Sequence, residues 1–436
     1  MTDLQTAPAP VRRAPRVHRA WFVAAVAFVA TIGAAGFRAT PGVFITPLHD
    51  EFGWSTGVIS AAVSVNLILF GLTAPFAAAL MERFGMRRVV SGALLLVAAG
   101  SGLTVFMKQS WQLVLCWGVL VGLGTGSMAL VFVATVTSRW FVKHRGVVTG
   151  VLTAGGATGQ LIFLPVLASL VAAHGWRTAA LTVSACAVAV VPLVVVLLHD
   201  HPADVGQTAY GAGPDDPPAP RGNAGAARRA LTVLRTASKE RTFWFLVGGF
   251  AICGASTNGL IGTHFIPAAH DHGLPETTAA SLLALVGVFD IAGTVASGWL
   301  TDRYDARTLL GGYYLLRGLS LLVLPALFAQ SVHPSMLVFV IFYGLDWVST
   351  VPPTIALCRQ RFGDAGPVVF GWVFAAHQLG AALAASGAGF IRDSEGSYSL
   401  AFYVAGGLCL VAALLSLWVP SALGRPRLRL RVAADL

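Results

Sequence analysis

Two segments of this chain match when the sequence is shifted against itself by 220 positions. Each segment carries an acid and two arginines directly after a long apolar run: Glu82, Arg83 and Arg87 fall on Asp302, Arg303 and Arg307. The repeat distance is about half of the 436-residue chain. Parallel repeats of this length are typical of membrane proteins that consist of two similar halves.

The composition indicates that lipid surrounds most of the chain. Hydrophobic residues make up 56% of the sequence and charged residues only 11%, whereas a soluble domain carries about 25% charged residues. Long apolar stretches with few charges are typical of membrane-spanning segments. We expect these segments to be helices, because backbone groups in lipid have to form hydrogen bonds within their own segment.

Hydropathy divides the sequence into twelve candidate spans, each long enough for the roughly 20 residues that a transmembrane helix needs. The spans begin near Trp21, Thr56, Val89, Trp111, Gly146, Thr178, Thr242, Thr277, Thr308, Ser335, Pro367 and Ser397. We therefore predict an all-α membrane protein with twelve transmembrane helices in two pseudo-symmetric six-helix halves.

The two predicted halves cover residues 20–198 and 242–419. Three polar segments lie outside them: a disordered N-terminal tail at 1–19, a cytoplasmic linker at 199–241 and a cytoplasmic tail at 420–436. The N-terminal tail is rich in Ala, Pro and Arg, a composition that is typical of disorder.

The second part of the linker is amphipathic and is predicted to form a short helix on the membrane surface. We expect Leu231, Val233 and Leu234 to face lipid. Basic residues are expected to meet the headgroups: Arg228, Arg229, Arg235 and Lys239. A basic cytoplasmic loop without a specific role is the alternative.

The net charge of +10 follows membrane topology and does not indicate nucleic acid as a partner. With the N-terminus in the cytoplasm, all but five of the 29 Lys and Arg residues lie on the cytoplasmic side. The exceptions are Lys108, Arg177 and Arg392 outside, and Arg38 and Arg317 within spans. This bias sets the orientation. It predicts a multi-pass protein of the plasma (inner) membrane with both termini in the cytoplasm.

Several functional classes find no support in the sequence. The five cysteines lie in or at the ends of spans, without the spacing of metal ligands, and are interpreted as packing residues. The sequence has no Gly-rich nucleotide loop that ends in Lys and Ser or Thr. We therefore predict no cofactor, no metal and no enzymatic activity, and we expect a functional monomer.

The loop after the second span combines Glu82 with Arg83 and Arg87. Such charges can bridge neighbouring helices, hold one face of a carrier closed and separate when that face opens. Plain anchoring by basic residues is the alternative, although anchoring needs neither Glu82 nor Asp302 in the second copy. We interpret six residues as gating or structural charges: Glu82, Arg83, Arg87, Asp302, Arg303 and Arg307.

This loop resembles the signature loop of the major facilitator superfamily, and its second copy starts at Gly298. The resemblance covers nearly the whole chain and implies a secondary carrier that works by alternating access. The chain departs from the family pattern at Ala78, where glycine is usual, and at Asp305 and Ala306 in the second copy. These departures weaken the gating role but not the fold assignment.

Within that superfamily the chain resembles the monocarboxylate and oxalate–formate carriers. The likeness rests on four places: residues 51–55 after span one, residues 139–146 between spans four and five, residues 202–206 after span six, and Arg38 in span one, where eukaryotic members place a basic residue. The fifth span lacks the Gly-Pro pair that is typical of drug–proton antiporters, since Gly159 is followed by Gln160.

Two positions depart from this branch of the superfamily. Many relatives carry a cation in the eighth span, one helical turn beyond an acid. Here the acid is Asp290, but the position one turn on is Thr294. In the eleventh span, where oxalate-type carriers place a lysine, the chain has His377 and Gln378. Both departures weaken the assignment of the substrate.

Four full charges lie within predicted spans: Arg38, Asp290, Arg317 and Asp346. Each costs roughly 2.5–3.5 kcal/mol at mid-helix, so we expect them to face the interior, form pairs or contact substrate. Arg317 and Asp346 lie near mid-depth on the sequential ninth and tenth spans and are predicted to form a structural ion pair. Because the tenth span lines the cavity in the resembled fold, a transport role is the alternative for Asp346.

Asp290 in span eight and His377 in span eleven are both near mid-depth. The resemblance implies that span eight borders the central cavity and that span eleven lies close by. A carboxylate beside an imidazole can hold or release a proton near physiological pH. We predict that Asp290 and His377 couple transport to protons. A neutral His377 that is hydrogen-bonded to a backbone carbonyl is the alternative.

Arg38 in the outer half of span one is predicted to bind the carboxylate of a substrate through two parallel hydrogen bonds. Snorkelling to the outer headgroups is the alternative. Its repeat partner is Asn258 in span seven. Asn66 and Gln160 lie near mid-depth and either bind a small polar solute or join neighbouring helices. The predicted substrate-binding residues are Arg38, Asn66, Gln160, Asn258 and His377.

The sequence therefore predicts a secondary carrier of a small organic anion, similar to a monocarboxylate, that cotransports protons. Proton symport is favoured because an anion that enters a cell works against the negative interior, while anion exchange is an alternative. Two other functions stay open. One is an exporter of hydrophobic or cationic compounds by proton antiport, with Asp290 and Asp346 as counter-charges. The other is a non-transporting membrane sensor or scaffold.

Overall fold

The computed structural model describes residues 17–213 and 226–420. The predicted tails at 1–19 and 420–436 lie almost entirely outside these residues. Within the described ranges the chain is almost wholly helical, and no β-strand longer than a single bridge occurs there. The predicted all-α membrane fold with twelve spans in two six-helix halves is confirmed, and we number the spans 1 to 12 in chain order.

The first half contains spans 1 to 6. Spans 1, 2 and 3 are the helices Arg19–Phe52, Thr56–Phe84 and Met86–Leu103. Span 4, Ser110–Trp140, consists of Ser110–Leu113, a π-helical turn at Val114–Val121, and the α-helices Gly122–Ser127 and Leu130–Trp140. The helix Arg145–Leu197 contains two spans, because the chain turns at Gly175 with a φ of 79° that favours glycine.

The second half contains spans 7 to 12. Span 7 combines Arg241–Gly254, a π-helical stretch at Ala255–Ile261 and Gly262–Asp271. Span 8 is Glu276–Thr301, span 9 is Ala306–Val323, and span 10 consists of Pro334–Asp346 and Val351–Phe362. Spans 11 and 12 are Gly366–Glu395 and Ser399–Trp418.

The helices form because their sequences are long and apolar, and they pack closely where glycine removes a side chain. Eleven described stretches are long and apolar enough to cross a membrane. One of them lies in the helix Arg145–Leu197, which turns at Gly175 and contains two spans, so the total is twelve. Large apolar side chains such as Val295 (70% exposed) and Leu383 (77%) point away from the bundle. At Gly293 a Cβ atom would lie only 1.9 Å from the Leu345 carbonyl oxygen, so spans 8 and 10 approach backbone to backbone.

The two halves meet along span pairs 1 and 7, and 2 and 11, and where span 8 packs on the helix Arg145–Leu197. Between spans 2 and 11, the Ser64 hydroxyl donates to the Ala382 carbonyl at 2.6 Å. Nearer the linker, the rings of Phe70 and Phe374 pack with centroids 6.0 Å apart. A site enclosed between the halves is therefore bordered by side chains of both.

The linker contains the helix Ala226–Ala237, which packs across spans 2 and 11. We call this side of the bundle the linker side and the opposite one the far side. Trp372 of span 11 donates from Nε1 to the Ala230 carbonyl at 3.0 Å. The expectation that Val233 faces lipid is wrong: Val233 is 2% exposed, because it shares one helix face with Ala230 and Ala237 and that face packs on the bundle.

Candidate functional site

Span 10 is interrupted at residues 347–350, which form turns between Pro334–Asp346 and Val351–Phe362. Pro352 and Pro353 follow the interruption and lack the N–H that would bond to a carbonyl one turn earlier. Irregular backbone at membrane depth is tolerated only where protein encloses it or where it lines a water-filled cavity. Two of these four residues are at most 1% exposed, so the interruption is enclosed.

Arg317 of span 9 reaches this interruption, and its side chain is fully buried. Its Nε donates to Oδ2 of Asp346 at 2.5 Å, so the ion pair that the sequence predicts is present. Its Nη2 donates to the carbonyls of Asp346 at 2.6 Å and Trp347 at 3.2 Å. Its Nη1 donates to Sγ of Cys253 in span 7 at 2.9 Å. One guanidinium thus joins spans 7, 9 and 10.

The surroundings of Arg317 are polar in a way that the sequence analysis missed. Cys253 was interpreted as a packing residue, but its thiol also lies 3.3 Å from the Thr350 hydroxyl. The guanidinium lies over the ring of Tyr314 at 5.8 Å. The Oδ1 atom of Asp346 is buried without a hydrogen-bond partner among the described residues. Breaking one side of such a buried pair is costly, because the other charge stays in an apolar environment.

Asp290 of span 8 reaches the same interruption from the other side. Its Oδ1 accepts hydrogen bonds from the Val348 backbone N–H and from the Thr294 hydroxyl, both at 3.0 Å. Thr294 stands where relatives of the resembled branch carry a cation, and here it serves as a hydrogen-bond donor to the acid. Asp290 is 9% exposed, and nearby Ser297 of the same span donates to the Ser349 carbonyl at 2.5 Å.

His377 lies between aromatic rings and not against the acid. Its ring is 4.8 Å from the centroid of Phe250 and stacks on Phe374 at 5.8 Å. His377 is 8% exposed, and its Nδ1 has no hydrogen-bond partner among the described residues. The structure does not join Asp290 and His377 by a hydrogen bond, and no described backbone carbonyl is bonded to the His377 ring.

Gln378, the neighbour of His377, belongs to the interface between the halves. It is 1% exposed and its Oε1 has no hydrogen-bond partner in the described part of the chain. Its Cβ lies 2.6 Å from the place of a Cβ on Gly71 of span 2, so spans 2 and 11 approach closely here. In the sequence, Gln378 marks a departure from the family pattern, and its polar character within an apolar span is the signal that points to it.

The other predicted substrate-binding residues lie elsewhere on the spans. Asn66 donates from Nδ2 to the Trp117 carbonyl at 2.7 Å and so joins spans 2 and 4. Asn258 is partly exposed in the π-helical part of span 7. Arg38 and Gln160 stand within described helices, but their side chains lie outside the described part of the structure.

The charged loops form contacts within their own halves. Arg87 donates its backbone N–H to Asp200 Oδ1 at 3.1 Å, and its Nη1 lies 3.3 Å from the Val195 carbonyl at the end of span 6. Arg307 pairs with Asp305 at 2.6 Å and donates to the Val419 carbonyl at the end of span 12. The hydrogen bonds that Arg307 donates to Asp305 lower the pKa of the Asp305 carboxyl.

Three further loop charges are exposed at the ends of spans 2 and 8. Arg83 is exposed, with its guanidinium 5.2 Å from the ring of Phe84, and Arg303 lies 4.1 Å over the ring of Trp299. Asp302 is exposed at the end of span 8. The Glu82 side chain lies outside the described part of the structure. The role of these charges in gating therefore stays a prediction.

A carboxylate on the far side connects the two halves. Asp393, at the end of span 11, accepts hydrogen bonds from the backbone N–H groups of Thr56 at 3.0 Å and Gly57 at 2.7 Å. These donors belong to the first turn of span 2, where free N–H groups and the helix dipole favour an anion.

The comparisons with known proteins cover almost the whole chain. A family model described as Major Facilitator Superfamily matches residues 26–267 and 251–431. The uncharacterized MFS-type transporter YcxA of Bacillus subtilis (strain 168) is 26% identical over 417 residues, which are 93% of this chain and 95% of the relative. Monocarboxylate transporter 11 of Homo sapiens is 28% identical over 418 residues, which are 92% of this chain and 83% of the relative.

Solved structures share the architecture. The inward open xylose transporter XylE from E. coli superposes with a TM-score of 0.69 at 15% identity, over 92% of this chain and 96% of that one. A bacterial homolog of the human lysosomal transporter Spinster superposes with a TM-score of 0.71 at 14% identity, over 93% and 97%. At these identities the likeness concerns the fold alone.

Proposed function

The chain belongs to the Major Facilitator Superfamily, and from this premise we propose that it carries a small organic anion of the monocarboxylate type across the membrane together with a proton. It is a multi-pass integral membrane protein and a transporter, not an enzyme. In the proposal the two halves rock about a site between them, so that the site opens to one side at a time.

The observation that carries the substrate class is the likeness to relatives named monocarboxylate transporters. Two of them, transporter 11 of Homo sapiens and transporter 13 of Rattus norvegicus, each match over 92% of this chain. The motif likenesses after spans 1, 4 and 6 support the same branch. We propose that Arg38 binds the carboxylate, because a guanidinium in a low-dielectric cavity attracts a planar anion through paired hydrogen bonds.

Proton coupling is proposed for Asp290 and His377. Asp290 is a carboxylate in the middle of a span, and its Oδ2 accepts no hydrogen bond from the described residues. The Nδ1 of His377 has no hydrogen-bond partner within residues 17–213 and 226–420. Intramembrane acids of this kind are typical of proton relays. Asn66, Gln160 and Asn258 are proposed to add neutral hydrogen bonds to the solute when the cavity opens.

We also propose that the protein resides in the plasma (inner) membrane with both termini in the cytoplasm. The support is the basic excess on the linker side, which the positive-inside rule assigns to the cytoplasm. A functional monomer is proposed because the two halves of one chain already enclose the site.

Proteoliposomes test the substrate class. We expect uptake of labelled lactate or pyruvate to accelerate under an imposed inward proton gradient. Arg38→Ala removes the paired hydrogen bonds, so we expect it to lower uptake by at least about tenfold, and Arg38→Lys to lower it less. Lys108→Ala, which changes an exposed cation on the far side, is the control. Carboxylate uptake that survives Arg38→Ala would remove the site assignment.

One rival loses support from the geometry. An exporter of cationic compounds was to use Asp346 as a counter-charge, but Arg317 already neutralises this carboxylate. Export of a lipophilic cation against a proton gradient, without carboxylate uptake, would nevertheless favour that rival. Absence of any flux in well-folded protein would favour a sensor or scaffold.

A further inference from the structure

The interruption of span 10 leaves backbone groups that a continuous helix would pair within itself. Side chains from two neighbouring spans bind these groups instead. Arg317 of span 9 donates to the carbonyls of Asp346 and Trp347. Ser297 of span 8 donates to the Ser349 carbonyl. Asp290, also of span 8, accepts from the Val348 N–H.

From this arrangement we infer that span 10 works as two helical segments, and that Arg317 and Asp290 are the positioning residues that hold the interruption between them. Arg317 is the permanent support and Asp290 the releasable one. The segment on the linker side, Val351–Phe362, then changes its angle while Pro334–Asp346 stays in place. The inference rests on the proposed transport activity, because that angle change is part of alternating access.

Arg317 is the permanent support because each of its guanidinium nitrogens has a partner. It holds a full charge pair with Asp346 and a thiol contact with Cys253 in addition to two carbonyls. The side chain is 0% exposed, so water does not compete for these donors. A planar fork with several donors suits this position, and a lysine would supply only a single ammonium.

Asp290 is the releasable support because one of its oxygens carries both hydrogen bonds. Proton uptake on Oδ2 removes the charge and weakens Oδ1 as an acceptor for Val348. Among the described residues of the helices packed around Asp290, the charged groups near it are Arg317 of span 9 and Asp346 of span 10. These two groups form an ion pair with each other, so neither of them pairs with Asp290.

The linker-side segment also has a connection to span 7. Arg361 near its end donates to Glu240, which directly precedes span 7, at 2.5 Å. A change in angle at the interruption is therefore passed to the linker-side end of span 7. Because span 7 packs on span 1 of the other half, the interruption is connected to the interface between the halves.

Substitutions at Asp290 separate support from protonation. Asp290→Asn cannot take up a proton, and its amide oxygen is a stronger acceptor for the Val348 N–H than the carbonyl of a protonated carboxyl. We expect it to retain substrate exchange and to lose proton-driven accumulation. Asp290→Leu removes the acceptor as well, and we expect exchange to fall by at least about tenfold. Thr301→Val in the same span is the control, because in the described part of the chain the Thr301 hydroxyl bonds to a carbonyl of its own helix.

A distance measurement tests the inference without any substrate. Spin labels at Val338→Cys and Gln360→Cys lie on exposed positions of the two segments. We expect pulsed EPR to give a narrow distribution of distances between the two labels in the parent protein and in Asp290→Asn. In Asp290→Leu we expect a broad distribution. An unchanged distribution in Asp290→Leu overturns the inference. If the distribution broadens in Asp290→Leu while the parent protein transports no carboxylate, the proposed substrate is wrong and the inference is supported.

A double variant separates this role from that of a simple ion pair. Replacing a buried pair by apolar residues is often neutral when only the charges matter. We expect the folded Arg317→Leu/Asp346→Leu variant to stay at least about tenfold below the parent in exchange, because the Trp347 carbonyl loses the Arg317 donor and the carbonyl of residue 346 keeps only the Ser349 N–H. Exchange restored to the parent rate would overturn the role of Arg317. If the variant does not fold, Arg317→Lys serves instead, with the same expected loss.

Discussion

Spans 4 and 10 occupy equivalent places in the two halves and are interrupted at the same point. A shift of 220 positions places Met128 on Val348. In span 4 the helix Gly122–Ser127 ends and the helix Leu130–Trp140 begins two residues later. Span 10 is interrupted at residues 347–350. The backbone irregularity is therefore shared, and the side chains around it differ.

The first half carries apolar residues at the positions equivalent to the charges around span 10. Its equivalents of Asp290, Arg317 and Asp346 are Phe70, Val97 and Gly126. A Cβ on Gly126 would lie 3.0 Å from the Phe70 Cα, so the two helices pack backbone to backbone. The N–H groups of Met128 and Ala129 bond to carbonyls of their own helix, three residues back. Among the described residues, close packing and hydrogen bonds within the helix surround this interruption.

The comparison shows that a broken span does not require charges. Four intramembrane charges are costly on any insertion scale, and those with described side chains lie in the second half. Their presence around span 10 therefore indicates a function that close packing does not supply. We interpret the first half as the rigid half at this level and the second as the half with a movable segment.

The largest expected effect is that of Arg317→Leu. It leaves Asp346 buried without its partner and should lower the free energy of unfolding by about 3–5 kcal/mol. The matched change in the first half, Val97→Ala, deletes only buried methyl groups and should cost about 1–2 kcal/mol. Thermal unfolding of the detergent-solubilised variants measures both. Equal losses at the two positions would contradict the difference between the halves.

Glycine contacts give an intermediate effect. An added methyl group at Gly293 would lie 1.9 Å from the Leu345 carbonyl oxygen, whereas at Gly126 the nearest atom is 2.9 Å away. We expect Gly293→Ala to separate spans 8 and 10 at a cost of about 1–3 kcal/mol, and Gly126→Ala to cost less. Unfolding midpoints and exchange rates check the order, and a milder effect at Gly293 would contradict it.

The smallest effect concerns the starts of spans 3 and 9, where both halves have the same kind of hydrogen bond. A carboxylate accepts the backbone N–H of the repeated arginine: Asp200 for Arg87 and Asp305 for Arg307. Because the Asp305 side chain is 44% exposed, Asp305→Asn should cost less than about 1 kcal/mol. Thermal stability of the purified variant measures this loss.

The pH dependence of that effect has a definite sign. The pKa of Asp305 is lowered in the folded protein, chiefly by hydrogen bonds from Arg307. Its stabilising contribution is therefore present above the unfolded-state pKa and disappears as the pH falls through the folded-state pKa. The parent protein and Asp305→Asn should converge in stability on acidification. A gap that widens at low pH would contradict this.

The sequence predicted the spans, the repeat and the Arg317–Asp346 pair because each depends on hydropathy, spacing and depth alone. It did not predict which partner each polar side chain meets, since that depends on the rotation of each helix about its axis. Asp290 thus bonds to Thr294 and Val348 instead of His377. Pro352 and Pro353, which lack a backbone N–H, are visible in the sequence. The side chains that bind the backbone of the interruption come from spans 8 and 9, and the sequence alone does not show them.

Hydrogen–deuterium exchange at the two interruptions tests the central claim most directly, because it compares spans 4 and 10 in one sample. In Asp290→Leu we expect the amide protons of residues 347–350 to exchange faster than in the parent protein, while those of residues 127–130 stay unchanged. Asp290→Asn should resemble the parent at both places. Equal acceleration at both interruptions, or none at residues 347–350, would contradict the claim that an acid from span 8 holds span 10 together.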